Sequence, residues 1–217
     1  VCKDGNGLGA TVASVGPDNA GPLNVTVNLN DDIVCTVTNT RETGKLEVVK
    51  SLSPTNDPGR FNLQIDGVTE KANAANGDTT GEKTVNTGLH NVGEIIGNAG
   101  ALADYQKSIV CKDGNGLGAT VASVGPDSAG PLNVTVNFND DIVCTITNVR
   151  EKGHIIVRKV TQPTPSTQSF AFTTTGDGYV GFNLKDGESN DQEVNANATY
   201  TVAESAVDGW DLDSATC

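Results

Sequence analysis

The sequence predicts an all-β protein of tandem β-sandwiches set end to end. Two observations carry this. Short runs of alternating apolar and polar residues are separated by clusters of Gly, Pro, Asn and Asp, the pattern of half-buried strands joined by tight turns, and no segment shows a convincing helical period. Residues 111–150 also restate residues 2–41, differing only at Asn19/Ser128, Leu29/Phe138, Val37/Ile146 and Thr40/Val149. Self-similarity at a fixed spacing marks a repeat architecture. GKLEVVK from Gly44 matches GHIIVRK from Gly153 more loosely, and Cys217 falls where Cys2 and Cys111 fall. On this reading, residues 44–151 form one complete sandwich of ordinary domain size. Residues 1–43 are the C-terminal half of a repeat and 152–217 the N-terminal half of another. A half-repeat cannot bury its core alone, so each is expected to be completed by a neighbouring copy or by adjoining sequence.

Within the complete repeat the predicted strands are 46–50, 61–65, 83–85, 89–96, 105–111, 119–124, 132–138 and 142–149. SPTNDPG, NAANGDTTG, CKDGNGLG, GPDSAG and NDD lie between them, all of them turn chemistry. The following half-repeat offers 154–159, 170–175, 181–184, 193–195 and 199–204. The linkers RETG and REKG are short, which implies a stiff string of beads.

A net charge of −13 argues against nucleic acid and against an anionic membrane surface, both of which want a basic face. No stretch approaches the ~18–20 consecutive apolar residues of a membrane span. Neither a phosphate loop nor a nucleophile elbow is present, so no enzyme activity, cofactor or metal site is expected.

The five cysteines occupy repeat-equivalent places. Cys2 and Cys35 are 33 residues apart, as are Cys111 and Cys144, and Cys217 is the first member of a third pair. The spacing is wrong for a zinc knuckle. Disulfides in an oxidising, extracellular compartment are the favoured reading, with free buried thiols the alternative. The partner of Cys217 is expected in an adjacent copy, or is absent.

Side chains alternate faces along a strand, and the phase of three polar residues is unusual. Lys50 shares a face with Leu46 and Val48, Glu94 with Val92 and Ile96, and Asn148 with Ile142, Cys144 and Ile146. The flanking units repeat this with Lys159, Glu204 and Asn39. A buried lysine, acid and amide are each costly alone. Together they have a chemical resolution. A lysine held neutral by apolar surroundings can attack the asparagine carbonyl, a protonated glutamate can polarise it, and ammonia leaves behind an isopeptide bond. The alternative on phase alone is that the lysines snorkel at strand ends while Asn148 caps a turn and Glu94 is exposed.

GKLEVVK, GLHNVGE and IVCTITN, with GHIIVRK, ATYTVAES and DGWDLDSATC further on, resemble the prealbumin-like, collagen-adhesin B-type (Ig-like) repeats of Gram-positive surface proteins and pilins. The resemblance covers essentially the whole chain. It implies seven-stranded Greek-key sandwiches, many of them carrying a Lys–Asn isopeptide with an acidic catalyst. Carried over, Lys50 would bond Asn148 with Glu94 assisting, and Lys159 with Glu204 would use Asn39 of an adjacent copy. His90 and Gly93 depart from the usual strand residues. The function implied is a structural subunit of an extracellular, cell-surface fibre, pilus-like filament or stalk, whose partners are copies of itself, head to tail. The alternative is an adhesin module presenting loops to a host protein or glycan.

Weaker signals read as structure. DGNG at 4–7 and 113–116 lacks the spaced acids of a calcium loop and reads as a turn, and the NDD triplets at 30–32 and 139–141 read as hairpin turns. His90 and His154 read as strand residues, and Trp210 as a core plug. The Asn24, Asn133 and Asn197 sequons matter only in a glycosylating host.

Overall fold

The computed structural model describes residues 1–19 and 21–217. The chain divides into two compact units, Val1–Glu42 and Thr43–Cys217.

In the first unit, β1 (Cys2–Lys3) lies between β2 (Thr11–Ala13) and β3 (Val34–Cys35). Cys2 sits directly opposite Cys35 and the two form a disulfide.

The second unit begins with nine strands in two sheets. They are β4 (Thr43–Ser53), β5 (Arg60–Ile65), β6 (Val68–Ala74), β7 (Lys83–Asn86), β8 (Gly88–Ala99), β9 (Tyr105–Lys112), β10 (Thr120–Val124), β11 (Leu132–Val136) and β12 (Asp141–Arg150). One sheet runs β10-β9-β12-β4-β7 and the other β11-β8-β5-β6. All pairs are antiparallel except β12 and β4, the last and first strands, which lie parallel at the centre of the larger sheet. A short 3-10 turn, Leu102–Asp104, precedes β9.

The alternation read from sequence sets the core. On β12 the residues Ile142, Cys144, Ile146 and Asn148 are buried while their neighbours are not. Ile142, Cys144 and Ile146 share a core with Leu46, Val48, Ile109 and Cys111 of the same sheet, and with Leu63, Ile65, Val92, Val134 and Val136 of the other. Cys111 and Cys144 face each other across β9 and β12 and form the second disulfide. Cys217 is free and exposed. Leu52, Phe61 and Tyr105 form a smaller cluster, with Ile96 and Leu102 against it.

The sandwich has nine strands rather than seven. β6, VTEKANA, belongs to none of the predicted runs because it is polar along most of its length and largely exposed. Its hairpin with β5 turns at Asp66–Gly67, both at positive φ, a tight-turn pair that L-residues other than Asn and Asp rarely accept.

Beyond Arg150, β13 (Lys152–Arg158) pairs with β16 (Ser189–Asn195). β14 (Phe170–Thr175) lies between β15 (Phe182–Leu184) and β17 (Thr201–Glu204). Trp210 packs edge-on to Phe170 at 5.3 Å but stays half-buried, a partial plug only.

Closing a loop of this length with a disulfide stabilises by about 3–4 kcal/mol through the unfolded chain. Replacing Cys111 and Cys144 together by Ser in a Lys50→Ala background, free of other cross-links in this sandwich, should lower the stability measured by guanidinium unfolding by about that amount. An unchanged midpoint would show that the bridge constrains nothing.

Candidate functional site

Lys50 lies on β4, one pair of residues beyond Val48, with its side chain wholly buried. Glu94 crosses from β8 in the opposite sheet and meets it, Nζ to Oε2, at 2.7 Å. The Phe61 ring lines the same space, its centroid 4.3 Å from Nζ. Burial pulls the Lys50 ammonium down to about 8, against the opposing pull of the Glu94 carboxylate. Lys50 therefore does not snorkel, and Glu94 is not exposed.

Ile146 is the direct neighbour of Lys50 in the parallel β4–β12 ladder. Asn148, two residues on, stands opposite Leu52 and faces the same buried side of the sheet as Lys50. It is fully buried, and among the described residues neither its Oδ1 nor its Nδ2 finds a hydrogen-bond partner; Glu94 Oε1 is equally unpartnered. A buried polar group left unpaired costs about 1–3 kcal/mol. Such a group in a folded core calls for an explanation.

Gly93 explains one departure in the strand. The loop 129–131 passes so close that a Cβ at Gly93 would crowd the Ala129 carbonyl, and that same carbonyl accepts the Glu94 amide at 2.9 Å. The loop and the glycine together hold Glu94 inward.

The second lysine repeats part of the arrangement. Lys159 Nζ is 2.8 Å from Glu204 Oε2 and 4.0 Å from the Phe170 centroid, matching Lys50, Glu94 and Phe61. This pair keeps some exposure. Asn39 belongs to the first unit and its side chain is exposed. The histidines each meet one carboxylate: His90 Nδ1 lies 2.7 Å from Asp66 and His154 Nδ1 2.9 Å from Asp191. Among the described residues no group of three or more His, Cys, Asp or Glu could hold a metal, and no helix is long and apolar enough to cross a membrane.

Sequence reasoning missed a neighbouring cluster. Asp57, from the turn SPTNDPG, receives the Tyr105 hydroxyl at 2.6 Å and the Gly59 amide at 2.8 Å. Arg150 grips the same carboxylate through Nε at 2.8 Å and Nη2 at 3.1 Å, and its guanidinium lies over the Tyr105 ring. Burial works to raise the Asp57 pKa, but the bonds from Arg150, Tyr105 and Gly59 outweigh it and hold the carboxyl below its usual range. The signals available were the arginine ending both copies of the repeated segment and the phenylalanine following each lysine at the same distance.

The model of a prealbumin-like fold domain family matches residues 1–41 and 45–150. The chain belongs to that family. Among solved structures it is similar to a streptococcal ancillary pilin, at 16% identity over 80% of this chain and 57% of that one, with a TM-score of 0.26. It is also similar to the Bacillus anthracis TIE protein, at 12% identity over 86% of this chain and 48% of that one, with a TM-score of 0.29. The chain thus spans about half the length of these two proteins. No curated protein matches it.

An Asn148→Ala variant keeps Lys50 as a free buried amine. Between pH about 8 and 10.5 the unfolded lysine still holds a proton that the folded one has lost. Stability should therefore rise with pH across that window, by up to about 3 kcal/mol, and level off below it. Denaturant unfolding at stepped pH measures this. Adding Lys50→Met should flatten the slope, and a slope that survives that change would belong to another group.

Proposed function

We propose that the chain is part of an extracellular surface fibre or stalk whose β-sandwiches are stapled by disulfides and by lysine–asparagine isopeptide bonds. The observation that carries this reading is the buried Lys50–Glu94 pair beside a fully buried Asn148 whose amide has no partner. Membership of the prealbumin-like family and the two disulfides support an oxidising, surface setting.

The chemistry follows from the contacts. One proton passed along the 2.7 Å contact turns the Lys50–Glu94 ion pair into a neutral amine and a carboxylic acid. The Nζ lone pair attacks Asn148 Cγ while the Glu94 acid donates to the developing oxyanion. Nζ then gives up a proton, which the carboxylate passes to Nδ2. The Cγ–Nδ2 bond breaks as the carbonyl re-forms and its oxygen returns the proton to Glu94, and ammonia leaves. An Nζ–Cγ amide remains, joining β4 to β12, and the unpartnered primary amide is gone.

The same logic extends to the half-repeats. In the first unit Val27 is 66% and Val37 85% exposed, while their repeat equivalents Val136 and Ile146 are 1% and 0% exposed. The segment that lines a core at 111–150 thus has its apolar face uncovered at 2–41. Residues 152–217 carry a lysine–glutamate pair but no equivalent of β12. Strands equivalent to 2–41, from a neighbouring copy or from the continuing chain, would complete that half-sandwich by strand addition. Asn39 of one copy would then meet Lys159 of the next, and the bond would run along the fibre.

Intact mass spectrometry of the reduced, denatured chain tests the first bond. The whole repeat should weigh one ammonia less than its sequence, and Lys50→Ala or Glu94→Ala should restore the unreacted Asn148. A wild-type chain at its full sequence mass would overturn the staple. For the fibre, a boiled and reduced gel of native material should show a ladder that Lys159→Ala collapses. A single monomer band without visible fibres would overturn assembly through that bond.

A further inference from the structure

We propose that Asp57, Tyr105 and Arg150 form a latch that sets the register of β12 on β4, and so positions Asn148 for Lys50. The proposal rests on the isopeptide reading above and assigns the three residues a positioning role in that reaction.

The placement is specific. Asp57 lies in the loop that leaves β4, the strand of Lys50, and Arg150 is the last residue of β12, two beyond Asn148. Arg150 stands directly opposite Tyr105 in the β9–β12 ladder. The Asp57 carboxylate is 3% exposed and receives two Arg150 nitrogens and the Tyr105 hydroxyl, while Arg150 Nη2 also meets that hydroxyl. Arg150 Nη1 reaches Asp104 at 3.2 Å. A planar guanidinium on one carboxylate fixes both direction and distance, which a single point charge does not.

The register matters because strand faces alternate. A one-residue slip of β12 would turn Asn148 outward and leave Lys50 opposite an outward-pointing position. Against such a slip the Cys111–Cys144 disulfide ties β12 to β9 but not to β4, whose inward residues opposite that strand are Leu46, Val48, Lys50 and Leu52. The Asp57–Arg150 fork resists it strongly, because a slip would leave a buried carboxylate without its cation. Gly59 belongs to the same device: a Cβ there would collide with the Tyr105 hydroxyl and the Asp57 carboxylate.

The latch also touches the reactive group. Tyr105 packs edge-on to Phe61 at 5.2 Å, and the Phe61 face lines the Lys50 amine. The chain supplies a contrast. Lys159, Glu204 and Phe170 repeat the reactive set, but Ser166 and Gln168 stand where Asp57 and Gly59 do.

The test is the rate of ammonia loss in the full chain. The chain is made in a cell-free system under oxidising conditions, synthesis is stopped, and intact mass is followed over time. Asp57→Asn and Arg150→Lys should each slow bond formation at least tenfold, and the double variant should be no slower than the worse single one, because both break one contact. Val134→Ala, a core change away from the latch, controls for stability and should stay within about twofold of wild type. Latch variants that react at the wild-type rate would overturn the latch and leave the staple standing. Equal slowing by Val134→Ala would reduce the cluster to general stability and overturn the proposal too. A wild-type chain that never loses ammonia would overturn the isopeptide reading itself, and the latch with it.

Discussion

The sandwich is organised around a lysine placed where a leucine would serve stability better. Lys50 continues the buried row of Leu46 and Val48 and meets Glu94 with no water-exposed side-chain surface on either. Removing two charges from water costs several kcal/mol each, and a buried ion pair rarely recovers more than that. The loop at 129–131, the glycine beneath it, the Phe61 ring and the inward phase of β8 all serve to hold this pair. A core tuned only for packing would need none of them. The unpartnered Asn148 amide adds a further cost that packing alone does not explain.

The alternation of apolar residues carried much of this into the sequence. The phase of β4, β8 and β12 follows from period-two counting, so the inward positions of Lys50, Glu94 and Asn148 were legible residue by residue. β6 was not, because an edge strand exposed on most positions has no apolar alternation to read; only the Asp66–Gly67 pair signalled its hairpin. The Asp57–Tyr105–Arg150 cluster was illegible for another reason. It joins a turn, a strand start and a strand end that are far apart in sequence, and each has an adequate local explanation alone. Local patterns show which face a residue takes, whereas partners from distant loops need the fold.

The repeated segment separates what a sequence fixes locally from what its neighbours supply. The turn chemistry is the same in both copies. Gly9 and Gly118 donate to the Asp4 and Asp113 carbonyls at 2.7 and 2.8 Å, and Asn28 and Asn137 donate to Asp31 and Asp140 at 2.7 Å. Asp4 and Asp113 each accept an amide from the residue 28 positions on. The strands differ. Val34–Cys35 is all of β3, whereas the equivalent β12 runs from Asp141 to Arg150. Turns close on their own hydrogen bonds. A central strand needs a partner on each side, and β12 has β4 and β9.

The parallel pairing of β4 and β12 has a mechanical consequence. The chain enters the sandwich at the start of β4 and leaves at the end of β12, which are opposite ends of one ladder. A pull on the two termini of the repeat therefore loads that ladder lengthwise, in shear, with every rung sharing the tension at once. Antiparallel neighbours would instead be peeled apart one rung at a time from a single end. The topology alone makes this bead stiff along the axis of the chain, whatever covalent bonds are added to it.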